Sequence, residues 1–157
     1  MSSELDVYDA LSKLLKDKLA DKVISINSSI SDPQNRLDPE KTANFEFTVI
    51  RGRQDVDDKE SVISIIIGVG TNVIGDFYQY EVEVHAVAPL NYQIELPNKK
   101  KLGKLYSQEL FRLIYATAVR DVIRESNLST LILPITEPSP IEDGFTPSQV
   151  VTTTIVI

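Results

Sequence analysis

A chain of 157 residues with 42% hydrophobic and 25% charged residues reads as one domain, 1–157, with a core of ordinary size. Its net charge of -7 argues against a nucleic-acid binder, which needs a basic surface to attract phosphates, and suits a surface that DNA passes without sticking. The absence of cysteine excludes disulfides and thiolate metal sites.

Residues 1–19 carry Glu4, Asp6 and Asp9 and no continuous apolar stretch, so no signal peptide is expected there. Ser3 followed by Asp6 is a helix-start signal. Leu5, Tyr8, Leu11, Leu15 and Leu19 then recur at spacings of three and four, one apolar face of an amphipathic helix. Lys13, Lys16 and Lys18 sit toward its expected carboxyl end, where the helix dipole favours cations. Val23, Ile24 and Ile26 are read as the beginning of a short strand. Residues 31–41 are loop chemistry, with two Asp-Pro steps that disfavour helix.

Phe45, Phe47 and Val49 alternate with polar residues, as a half-buried strand does. A polar connection follows over 51–60, and its centre, 55–60, reads as an acidic hairpin. Residues 62–69 are apolar on both faces, which predicts a central strand, and Ser64 and Gly68 make the run too short and broken to span a bilayer. Residues 70–76 read as a turn region. The clearest strand is 77–87. Tyr78, Tyr80, Val82, Val84 and Ala86 point one way, toward a core; Gln79, Glu81, Glu83 and His85 point toward water or a partner. A loop over 91–98 leads to a long helix, 102–125. Its apolar stripe includes Leu102, Leu113, Ile114, Val119 and Ile123, and Arg112, Arg120, Asp121 and Arg124 take the opposite side.

Residues 128–135 are a further strand, and 136–147 form an acid-rich connection with an Asp143-Gly144 turn. The last ten residues, 148–157, are a strongly β-branched strand. Such a strand implies pairing within a sheet, because unpaired buried backbone groups are costly. The expected fold class is therefore α+β: two layers, a mostly antiparallel sheet, and both helices packed on one face, with a strand closing the chain.

No catalytic motif is present. Glu81, Glu83 and His85 lie two apart on one strand face, with successive Cα atoms about 7 Å apart. These are metal-ligating types, but a polar strand face accounts for them more simply, and no metal is expected. His85 is the only histidine, so a two-histidine catalytic site within one chain is excluded. Arg51-Gly52-Arg53 lacks the strand-to-helix glycines of a phosphate site. Lys99, Lys100, Lys101 and Lys104 form a basic cluster where a helix begins, read first as a solvated cap and second as a patch for an acidic neighbour. No serine has nucleophile-elbow spacing. Neither an enzyme nor a cofactor is expected.

The order of elements resembles the tail terminator (tail completion) family of long-tailed bacteriophages. The resemblance rests on the opening helix, the strand Tyr78-Gln-Tyr-Glu-Val-Glu-Val-His-Ala-Val87 with its proline-marked loop, the long helix, and the closing pair of strands around Asp143-Gly144. It implies a homo-oligomeric ring, a hexamer, that caps the head-proximal end of the tail tube. The implied partners are the tail tube protein, the neck or connector protein and, in contractile tails, the sheath. The implied location is the virion tail and neck, assembled in the host cytoplasm, with DNA passing through unbound and no membrane contact. Candidate interface or lumen residues are Arg51, Arg53, Asp55, Asp57, Asp58, Glu60, Lys99, Lys100, Lys101, Glu142 and Asp143. Residues 24–135 also resemble SecB-type export chaperones. That second likeness is carried by Ile24-Ser-Ile-Asn, by 77–90, and by Leu128-Ser-Thr-Leu-Ile-Leu-Pro134. It implies binding of unfolded polypeptides.

Overall fold

The computed structural model describes residues 3–32, 36–37, 47–51, 61–87, 103–132, 134–135 and 148–157. Two helices and a sheet make an α+β fold in two layers. The elements are α1 (Glu4–Ser29), β1 (Phe47–Arg51), β2 (Ser61–Ile67), β3 (Thr71–Ile74), β4 (Phe77–Val87), α2 (Gly103–Glu125), β5 (Ser129–Ile132) and β6 (Ser148–Val156).

The start of α1 is the one its sequence announces. Ser3 is the N-cap in extended geometry, its hydroxyl accepts the Asp6 N–H at 3.3 Å, and Asp6 returns a bond to the Ser3 N–H at 2.8 Å. This capping box satisfies two of the donors that a helix leaves open at its first turn. The end of α1 differs from expectation. Val23, Ile24 and Ile26 are helical and do not begin a strand. The reason is spacing: Val7, Leu11, Leu15, Leu19, Val23 and Asn27 recur every four residues and all are buried. The same periodicity carries the helix past the β-branched residues, whose helix penalty is small beside the burial of Val23. Leu5, expected on the apolar face, lies off this row and is exposed. Lys13, Lys16 and Lys18 consequently sit mid-helix, and the last turn carries no basic residue.

A row at constant spacing of four drifts around the helix by about 40° per step, so it slants across the axis as a packing ridge does. Through it, α1 meets α2 and the β1–β2 side of the sheet, and α2 covers β4, β5 and β6. On α2, Arg112 is buried and Leu113 is exposed, the reverse of the expected assignment. Arg112, Ala116, Val119 and Ile123 share one line along the helix, facing inward. Leu113 shares its line with Thr117, Arg120 and Arg124, the outward wedge. The helix is buried over more than half its circumference because it packs against α1 as well as the sheet. Ser126 ends it: its hydroxyl donates to the Ile123 carbonyl at 2.6 Å and accepts the Leu128 N–H at 3.3 Å.

The sheet order is β1-β2-β4-β6-β5, and β3 pairs with β4 beyond the end of β2. The pairs β2–β4, β4–β6 and β5–β6 are antiparallel. The pair β1–β2 is parallel, with Phe47 opposite Ser61 and Arg51 opposite Ile65. The sheet is thus mostly antiparallel, as expected, with one parallel pair at its margin, and the acidic hairpin expected over 55–60 lies outside the described residues.

Rows of side chains run straight across three strands. Ile65, Val84 and Val151 stand in register, as do Ile67, Val82 and Thr153. With Tyr80, Ala86 and Ile155 they form the face beneath the helices, where Ile65, Val82, Val84 and Val151 share one hydrophobic cluster with residues of α1 and α2. The alternation read for 77–87 holds on this face. On the other face His85 departs from the expectation of an exposed residue: it is buried, in register with buried Ser64 and Val150. The strand at 148–157 is also as expected. Its position is central, between β4 and β5.

One clamp ties the end of α1 to the chain that follows. Asn27 is buried and its side-chain amide donates to the Leu37 carbonyl at 3.1 Å, while its Oδ1 accepts the Leu37 N–H at 2.7 Å. Arg36 Nε donates to the Ile30 carbonyl beside it. Leu37 thus enters the core with both backbone groups satisfied.

Candidate interaction surface

The 70–76 segment, expected as a turn, contains a strand. β3 and the start of β4 form a hairpin closed by Gly75-Asp76. Gly75 has φ +56°, the left-handed conformation that two-residue hairpin turns require and that glycine supplies without strain. Asn72 reinforces the turn, its amide donating to the Gly75 carbonyl at 2.9 Å. The bend at Gly68–Gly70 lets the strand follow β4. The Gly68 N–H donates to the Glu81 carbonyl at 2.9 Å. Gly70 lies against the buried Tyr80 ring, so closely that a Cβ there would sit 2.6 Å from Cε1.

The hairpin is apolar and in solvent. Val69 is 84% exposed, Ile74 72%, Phe77 56% and Val73 53%. Ile74 and Phe77 are cross-strand partners, so they make one continuous exposed pair. Isolated exposed apolar residues are ordinary, but four along one hairpin form a patch. The sequence held a sign of it. Thr71-Asn-Val-Ile followed by Gly-Asp and an aromatic strand is a strand–turn–strand pattern, masked by glycines on both sides.

The helix-free face of β4 and β6 carries Glu81 opposite Thr154 and Glu83 opposite Thr152. Glu83 Oε2 stands 3.7 Å from His85 Nε2, with the imidazole buried and the carboxylate partly exposed. Among the described residues, no group of three His, Cys, Asp or Glu side chains is placed to hold a metal ion. Between α1 and α2 a shallow open groove is lined by Leu14, Lys18, Asp21, Lys22, Val122 and Glu125. The Lys22 ammonium and the Glu125 carboxylate pair across it at 2.6 Å. No described helix is long and apolar enough to cross a membrane.

Of the residues singled out from sequence, Arg51 closes β1 opposite Ile65. Arg53, Asp55, Asp57, Asp58, Glu60, Lys99, Lys100, Lys101, Glu142 and Asp143 lie outside the described residues, as do Phe45, Leu102, the 91–98 loop and the 136–147 connection. What the described residues bring together is a set of interaction features: a largely apolar hairpin, exposed to solvent, and marginal strands that pair on one side only among the described strands.

Comparison with protein-family models finds no match, and comparison with curated protein sequences finds none either.

Proposed function

We propose that the chain is a structural ring protein of the tail-terminator kind. Copies form a ring that caps the head-proximal end of a phage tail tube and joins it to the neck. Its work is interface geometry, not chemistry. The observation that carries the reading is the place of β6. A strand that closes the element order and lies in the middle of the sheet leaves β3, β1 and β5 at the margins, where copies can meet side by side. In this reading the acidic residues Asp55, Asp57, Asp58 and Glu60 are assigned to the bore on their charge alone. Six copies of them make a ring of negative charge that repels DNA phosphates over about 8 Å at physiological salt, enough only in a narrow channel.

The test is to add the purified chain to tail tubes lacking their own cap. Rings at one tube end, seen by negative-stain microscopy, are the expected result. Bare ends at saturating protein concentration count against it.

A chaperone reading has one observation in its favour, the exposed apolar hairpin, since client binding needs apolar surface. Two features weigh the other way. Ile24–Asn27, which carried the likeness to that family's first strand, lie in α1, and β6 has no counterpart in it. Binding of an unfolded client chain, measured by fluorescence anisotropy, would favour the chaperone.

A further inference from the structure

We infer that the outer edge of β3, with the apolar end of its hairpin, is a docking site for a strand, and that its occupant is β5 of a second copy of this chain. This deepens the ring reading, and rests on it for closure into a ring, by naming the two surfaces that meet.

The first observation is the edge itself. β3 pairs with β4 along one side, and no described strand pairs with the other. Unpaired N–H and C=O groups in a row select an extended segment as partner. Natural edge strands that must stay single carry lysine, proline or an inward charge. From Val69 to Ile74 there is neither charge nor proline, in a chain where a quarter of the residues are charged. The lane is therefore unguarded, and its side chains, Val73 and Ile74 with Phe77 beside them, gain by being covered.

The second observation concerns the occupant. Asp76 in the turn is the one charge on the hairpin, and β3 itself has none, so a partner recruited by charge finds little along this lane. Two copies at net charge -7 repel each other on approach, which favours a contact made through surfaces that carry no charge. Among the described strands, β5 is a second margin without charge. At the far margin of the sheet β5, Ser-Thr-Leu-Ile, is uncharged, is four residues long like β3, and pairs only with β6 among the described strands. β6 occupies the side of β4 opposite to β3, since Gln79 pairs with Val156 on one flank and Thr71 on the other. Among the described strands, the unpaired sides of β3 and β5 therefore lie on opposite margins of one sheet. Joining them is a head-to-tail contact, the heterologous kind that closes rings.

The chain has no cysteine, so engineered pairs report the contact cleanly. Val73→Cys and Thr130→Cys variants, mixed under mild oxidation, should form a covalent dimer; Val73→Cys alone should not. In sedimentation velocity the wild type should assemble with rising concentration. Ile74→Lys should weaken that assembly by about tenfold or more, the consequence of denying one large apolar side chain its burial. Ile74 is solvent-exposed in the protomer, so the variant should keep the wild-type thermal transition, which is checked in parallel. A wild type that stays monomeric at its highest soluble concentration, an Ile74→Lys chain that assembles equally well, or a cross-link from Val73→Cys alone overturns the inference. So does an Ile74→Lys defect confined to client-peptide binding. Rings that form but ignore tail tubes would remove the proposed function and leave the strand pairing. Tube caps unaffected by Ile74→Lys would do the reverse.

Discussion

Ile157 is still in the sheet: its N–H donates to the Tyr78 carbonyl at 3.0 Å, and its carbonyl accepts the Tyr78 N–H at 2.8 Å. The pair extends a ladder that begins with Ser148 opposite Val87. β6 thereby backs β4 along almost its whole length and gives β5 its partner.

Removing the chain from Ser148 onward should abolish folding, since it deletes an interior strand and strands β5. The expected outcome is loss of a cooperative thermal transition, followed by circular dichroism. A milder test is Ile155→Ala. Ile155 is fully buried, and the substitution should cost about 2–5 kcal/mol in urea unfolding.

Asn27 should be worth more than its place near a helix end suggests. Asn27→Ala leaves both the N–H and the carbonyl of Leu37 without their partner in a buried setting. The expected loss is about 1–3 kcal/mol by chemical denaturation. Asn27→Asp should not restore it, because a carboxylate keeps the acceptor for the Leu37 N–H but has no donor for the Leu37 carbonyl.

Three glycines should separate on physical grounds. Gly70→Ala drives a methyl group into the packed Tyr80 ring and should cost about 1–3 kcal/mol. Gly75→Ala meets no atom within 4 Å but sits at φ +56°, so strain alone acts, at about 1 kcal/mol. Gly68→Ala has its nearest neighbour, the Glu81 carbonyl oxygen, at 3.4 Å and should be mildest. Thermal melts that break this order would contradict the packing described for Tyr80.

Neutralising Asp55, Asp57, Asp58 and Glu60 together, to Asn and Gln, tests the bore. Rings should still assemble, and DNA ejection from particles carrying them should slow. Normal assembly with unchanged ejection would show that these carboxylates do not face the DNA.

Much of the fold was legible in the chain because the signals were local. Ser3 and Asp6 announced a helix start, the alternation from Tyr78 to Ala86 announced a strand with one core face, and Val150 to Ile157 announced a paired strand. Where the reading failed, a local preference lost to a distant contact. Val23, Ile24 and Ile26 favour strands by themselves, yet Val23 continues the row that Leu19 begins and Asn27 finds Leu37 ten residues on. Thr71–Ile74 looked like a turn because its flanking glycines hide a strand that exists only by pairing with β4. Arg112 and Leu113 changed places because the inward side of α2 depends on α1, which periodicity within one helix does not reveal. The candidate interface residues were all charged, whereas the surface found on the described residues is a largely apolar hairpin.

By itself, then, the sequence determined the opening helix start, the strand at 77–87 and the closing strand, because capping, alternation and β-branching act between near neighbours. Tertiary structure alone decided that β1 runs parallel to β2, that β6 is interior, and that the hairpin end faces solvent. Those outcomes depend on which strands compete for the same partner edge, a competition settled by packing across the whole sheet.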